Sequence, residues 1–182
     1  MTIHYANTWC RKCLAVHKQD CGAMSIPVQL VGAELHDGVQ LAPYVNLYGC
    51  AIGRETRIGA FAEIQDGVRV GERCKISSHS FLCSGLEIRD EVFVGHGVQF
   101  CNDRYPQATR ADGRPRERGD WQQKSIYVES HVSIGSGAVI LPGISIGRGA
   151  TVGAGAVVVC AVAPGATVVG VPARPIRSRK KP

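Results

Sequence analysis

Missing from the opening residues, Met1 to Trp9, is any basic segment followed by an apolar run, so no secretory leader is expected. Without one, the eight cysteines read as reduced side chains of a cytoplasmic protein rather than as a disulfide framework. Aromatic residues interleaved with basic ones, and a DNA-reading helix motif, are absent too. The net charge of +6 therefore does not argue for nucleic acid, and a phosphate-rich small molecule suits it equally well. One uncharged stretch, Ala150 to Ala173, is long enough to suggest a membrane span. Glycines and two prolines interrupt it, and it keeps the period described next, so no span is expected.

That period is six. From Ile52 the steps land on Ile58, Ile64, Val70, Ile76, Leu82, Ile88, Val94 and Phe100; a second run lands on Val128, Ile134, Ile140, Ile146, Val152 and Val158. Every stop is apolar. At 45% hydrophobic composition, fifteen such stops arise by chance with a probability of ~10⁻⁵. Glycine often follows the stop, as at Gly53, Gly59, Gly71, Gly95, Gly135, Gly147 and Gly153. Six is neither a helical repeat nor the alternation of a single strand. It predicts short strands joined by tight turns, with three hexads per coil and residues eighteen apart stacked in ladders. The predicted ladders are Ile58-Ile76-Val94, Ile64-Leu82-Phe100 and Ile52-Val70-Ile88.

The hexads stop between Phe100 and Val128. Residues 102–127 are polar and carry clustered charge: Arg104, Arg110, Arg114, Arg116, Arg118 and Lys124 against Asp103, Asp112, Glu117 and Asp120. Register is kept only if about twenty-two residues are looped out, and insertions of that length are usually functional or disordered. The repeat domain is expected over 28–177, with irregular first coils, after an extension over 1–27 that is poorly ordered. A basic tail occupies 178–182. The extension holds Cys10, Cys13, His17 and Cys21, a spacing open to zinc, or it precedes a start at Met24 and is dispensable.

The hexads and the ending Gly170-Val171-Pro172-Ala173-Arg174-Pro175-Ile176-Arg177 resemble the hexapeptide-repeat acyltransferases. The resemblance implies an all-β fold, a left-handed parallel β-helix with one long inserted loop, and an active homotrimer with its sites between subunits. It also implies acetyl-CoA as co-substrate. On this reading Gly135, Gly137, Gly153 and Gly155 admit coenzyme A close to the backbone, while Arg174 and Arg177 meet its phosphates. The stretch Val94-Gly95-His96-Gly97-Val98-Gln99-Phe100-Cys101-Asn102-Asp103-Arg104-Tyr105-Pro106 is similar to a branch that acetylates 3-amino groups of nucleotide-linked sugars for surface polysaccharides.

Two histidines are candidates for chemistry. His79 and His96 fall on hexads one coil apart, so both are expected at one corner beside the insertion. His79 is favoured as base or amine-orienting residue, with His96 second. Ser78, Asn102, Asp103 and Arg104 are the candidate substrate contacts, and no metal is expected. Three alternatives remain: an O-acetyltransferase of the same fold, a γ-type carbonic anhydrase using His96 and Cys101, and a scaffold solenoid with no substrate.

Overall fold

The computed structural model describes residues 28–117 and 119–176. The cysteine–histidine cluster of residues 10–21 and the basic residues from Arg177 onward lie outside them. The chain winds as a parallel β-solenoid of three flat faces, the arrangement expected of a left-handed β-helix, and no helix occurs among the described residues. Face A stacks Gln29–Val31, Asn46–Tyr48, Glu63–Ile64, Phe81–Leu82, Gln99–Phe100, Val139–Ile140 and Val157–Val158. Face B stacks Glu34–Leu35, Ala51–Ile52, Arg69–Val70, Leu86–Ile88, Ile126–Val128 and Ser145–Ile146. Face C stacks Gln40–Leu41, Arg57–Ile58, Lys75–Ile76, Phe93–Val94, Ser133–Ile134, Thr151–Val152 and Thr167–Val169. The strand Arg174–Ile176 then turns back antiparallel against Thr167–Val169.

The hexad explains this shape. In a two-residue strand one side chain points in and its neighbour points out. The inward positions are the stops of the repeat: Ile52, Ile64, Leu82, Val94, Phe100, Ile134, Ile140 and Ile146 all have 0% relative exposure. β-Branched Ile and Val suit these pleated rungs, and each buried side chain contributes about 1.5–3 kcal/mol. The predicted ladders form: Ile58 pairs with Ile76 and Ile76 with Val94, Ile64 with Leu82, and Ile52 with Val70 and Val70 with Ile88, while Phe81 pairing with Gln99 sets the register that carries Leu82 on to Phe100.

The insertion leaves the ladders intact. Ile88 pairs with Val128, a separation of forty where an uninterrupted coil gives eighteen, so twenty-two residues leave the column. The coil resumes at Ile126, slightly before the expected end of the insertion at 127. Ile126 is fully buried and pairs with Leu86, so it belongs to the core rather than to the loop.

Candidate active site

Each coil passes from face C to face A through a short corner. Its successive rungs are Ala42-Pro43-Tyr44, Gly59-Ala60-Phe61, Ser77-Ser78-His79, Gly95-His96-Gly97, Gly135-Ser136-Gly137 and Gly153-Ala154-Gly155. The two histidines and the four glycines expected to receive coenzyme A therefore lie along one edge of the molecule.

The histidines share that corner on successive coils, but they do not share a ladder. Seventeen residues separate them, one fewer than a coil. His96 stands over Ser78, and His79 stands under Gly97. This offset gives them different partners. Ser78 Oγ lies 2.8 Å from His96 Nδ1. With the serine accepting from Nδ1–H, Nε2 keeps the lone pair that a base needs. The His96 backbone N–H donates to Ser136 Oγ at 3.1 Å, fixing the rung from the other side. The His79 ring instead packs on Phe61, with centroids 4.9 Å apart and planes 28° from parallel. Both histidines are exposed. His96 thus has the hydrogen bond that turns a ring for proton transfer, where His79 has a ring contact.

The arm, residues 101–125, leaves from the corner between faces A and B. It is thus rooted one face away from the histidines of its own chain, and the expectation that they stand beside it is corrected. Asn102 Nδ2 donates to the Ser84 carbonyl at 3.0 Å, and the Asn102 carbonyl accepts from Lys124 N–H at 3.1 Å, which closes the base of the arm. Asp103 accepts the Tyr105 N–H at 2.8 Å and faces Arg116 at 3.9 Å. Asn102 and Asp103, both expected at the sugar, thus also hold the root of the arm. Arg104 is exposed. Farther out, Arg110 pairs with Asp120 and Glu117. The Glu117 N–H first, and Arg110 with it, holds the Asp120 carboxyl below the usual carboxylate range, and Arg114 does the same for Asp112.

The four glycines divide by cause. A Cβ on Gly135 would lie 2.8 Å from Ala154 Cα and from the Gly153 carbonyl carbon, and one on Gly153 would lie 2.7 Å from Val169 Cγ1. Close packing against the backbone of the next rung therefore requires Gly135, whereas Gly153 makes room for the Val169 side chain. Gly137 and Gly155 have φ of +70° and +67°, where any side chain is strained. Arg174 sits on the exposed last strand, with Nη1 donating to the Ala173 carbonyl at 2.9 Å; Arg177 lies outside the described residues. Among the described residues no three His, Cys, Asp or Glu side chains group as a metal site. His96 and Cys101, which the carbonic anhydrase alternative needs together, stand at different corners.

Sequence reasoning missed Tyr44, Phe61, Gly97 and Ser136. Their signal was available: Phe61 and His79 are eighteen apart, as are Ser78 and His96.

A three-faced β-solenoid with a polar corner and a long arm defines a class before it defines a chemistry. The bacterial transferase hexapeptide (six repeats) matches residues 49–84 and 125–159. Those two stretches of the chain carry the hexapeptide repeat of that family. A putative acetyltransferase of Schizosaccharomyces pombe is 38% identical over 92 residues, 50% of this chain; the chain spans only 42% of that relative's length. The dTDP-4-amino-4,6-dideoxy-D-glucose acyltransferase of Escherichia coli is 25% identical over 156 residues, covering 80% of this chain and 81% of its own. Among solved structures, a hexapeptide-repeat acetyltransferase of Vibrio cholerae complexed with acetyl coenzyme A superposes with a TM-score of 0.55 at 27% identity, over 75% of this chain and 72% of that one.

Proposed function

We propose that this protein transfers acetyl from acetyl-CoA to the amine of a nucleotide-linked amino sugar, with the 3-amino position as first choice, for surface polysaccharide synthesis. The observation that carries the reading is the Ser78–His96 pair, set on the same edge as the glycine rungs of a hexapeptide solenoid. The relatives named acetyltransferase and amino-sugar acyltransferase support the reaction class.

The chemistry asks little of the protein. The amine nitrogen attacks the thioester carbonyl carbon, and the carbonyl π electrons move onto oxygen. As the C–N bond forms, His96 Nε2 takes a proton from nitrogen. The tetrahedral intermediate collapses, the C–S bond breaks, and His96 returns the proton to the departing thiolate, giving amide and free coenzyme A. A base of this kind contributes ~10²–10⁴-fold; holding two substrates in register contributes as much or more. Ser78 keeps the ring turned so that Nε2 is available.

The arm's position supports a trimer. Its root lies one face from the histidines of its own chain, so in a threefold assembly it reaches over the corner of a neighbour and completes that site. Light scattering should give about three chains. Incubation of the full chain with acetyl-CoA and a panel of UDP- and dTDP-amino sugars, read by thiol release, tests the activity. Release with an amino sugar and none with its hydroxyl counterpart is the expected result. Release with hydroxyl acceptors alone would overturn the substrate class.

A further inference from the structure

The third residue of the corner between faces C and A is left-handed on every rung: Tyr44 at φ 61°, Phe61 at 59° and His79 at 60°, then Gly97 at 65°, Gly137 at 70° and Gly155 at 67°. Bulky residues are outliers in this conformation, and glycine would occupy it without strain. Three consecutive rungs nevertheless carry rings there, and they hold them in solvent. Tyr44 and Phe61 are 51% and 52% exposed, and His79 is exposed as well. Neighbouring rungs of a sheet are ~4.8 Å apart, which is also a stacking distance. Tyr44 and Phe61 are parallel within 1° at 5.0 Å, and Phe61 and His79 follow at 4.9 Å.

The column of rings ends at His79, because the next rung is Gly97. A Cβ on Gly97 would meet nothing within 4 Å; one on Gly137 would meet only Gly155 N at 4.0 Å, and one on Gly155 nothing. The outer face of the imidazole therefore opens onto a slot where a fourth ring would stand. Beside the slot are His96 with its Ser78 partner and Gln99, whose Nε2 lies 3.4 Å from the His79 and Gly97 carbonyl oxygens. The left-handed conformation is general to the fold, since Glu55, Arg73, Glu91 and His131 adopt it at the corner between faces B and C; what sets this corner apart is the column of rings, and a stack that stops one rung short of an open slot is shaped for a planar ring.

We infer that a nucleobase stacks on His79 in the slot over Gly97, with Phe61 and Tyr44 as the fixed column beneath it. This deepens the proposed function and rests on it, since both substrates of that reaction carry a nucleobase. The pyrimidine of the nucleotide sugar and the adenine of coenzyme A share the stacking chemistry, which favours any flat π face. His79 is then the binding platform and His96 alone moves the proton.

The test measures affinity of the full chain for dTDP, UDP, coenzyme A and inorganic pyrophosphate by calorimetry, with turnover in parallel. His79→Ala and Phe61→Ala should weaken a base-bearing ligand by about 5- to 150-fold, the range for loss of one stacked base, and leave pyrophosphate unchanged. His79→Phe should restore both affinity and turnover to within about threefold, because it keeps the flat face and removes the titratable nitrogen. Weakening confined to dTDP and UDP assigns the slot to the pyrimidine; weakening confined to coenzyme A assigns it to adenine. Unchanged affinity in His79→Ala overturns the platform alone; a His79→Phe chain that binds normally and does not turn over keeps the platform and overturns the assignment of the proton to His96 alone. A parent chain that binds none of the base-bearing ligands overturns the platform and the acyltransferase reading together.

Discussion

Gly135 and Gly137 stand two residues apart on one rung, and alanine at each should fail for a different reason. At Gly135 the added methyl would collide with the Ala154 backbone nitrogen and sit 2.8 Å from Ala154 Cα and from the Gly153 carbonyl carbon. Ordinary carbon contacts begin near ~3.5 Å, so the two rungs must part by at least about 0.7 Å at this corner. The Gly135 N–H donates to the Val152 carbonyl at 2.8 Å, and the Gly155 N–H to the Ser136 carbonyl at 2.8 Å, so both bonds cross between these two rungs. A shift of that size carries both to the limit of a hydrogen bond. With ~1–3 kcal/mol for each bond left unmade, Gly135→Ala should lose about 2–6 kcal/mol. At Gly137 the methyl meets only Gly155 N at 4.0 Å. The loss there is the left-handed conformation alone, about 1–2 kcal/mol. Urea unfolding followed by circular dichroism, with coenzyme A titration on each folded variant, separates the two. Gly135→Ala should lower the midpoint clearly more than Gly137→Ala. If Gly135→Ala leaves the midpoint unchanged and weakens coenzyme A, the glycine serves the ligand and the packing argument is wrong.

His96→Ala should lower kcat by ~10²–10⁴-fold with little change in KM for acetyl-CoA; Ser78→Ala should lower kcat less and shift the pH–rate profile, since the base loses its orienting partner. An unchanged profile in Ser78→Ala would show that the serine does not act through the histidine. Acid should loosen the arm before the column. The Asp112 and Asp120 carboxyls are held below their ordinary value in the fold, so their contribution is complete above about pH 4 and is lost as pH falls through the lowered values. Amide exchange across 103–117 should rise there while the ladders stay protected, and uniform exchange in both would refute it. Burial, with Cys101 nearby, pushes the Cys83 thiol up to about 12, and burial pushes Cys50 up to about 11. Iodoacetamide at pH 8 should therefore label exposed Cys160 long before either; mass spectrometry of the native protein reads the order.

The column was legible because its signal is redundant. Ile58, Ile76 and Val94 repeat the same burial on three coils, and Ile134 and Val152 repeat it again past the insertion. A period that survives a twenty-two-residue gap also fixes the length of the gap. The corner was only half legible. Position along the hexad put His79 and His96 at one turn, but a one-residue offset decides whether a side chain meets a hydroxyl or a ring. Nothing in the composition of Tyr44, Phe61 and His79 marks them as left-handed, since turn chemistry normally favours glycine or asparagine there. Asn102 stands among the substrate candidates through the stretch that resembles the amino-sugar branch; its amide donates to the Ser84 carbonyl, a partner that only the register reveals. The arm's direction of reach was hidden for the same reason, because the period places its root but says nothing of where ion pairs such as Arg110–Asp120 fold it.

The hydrogen bond from Lys124 to the Asn102 carbonyl joins the two ends of the arm at the surface of the column. One coil below, Cys83-Ser84-Gly85 makes the same corner in three residues with no excursion. The arm is therefore a cassette plugged into an otherwise ordinary turn. Lengthening such a closed loop changes its closure entropy only logarithmically, about 0.6 kcal/mol per doubling. Arms of other lengths and compositions can occupy this socket while every ladder keeps its register. The arm and the column thus answer to separate stretches of the chain, and either can drift in sequence without the other.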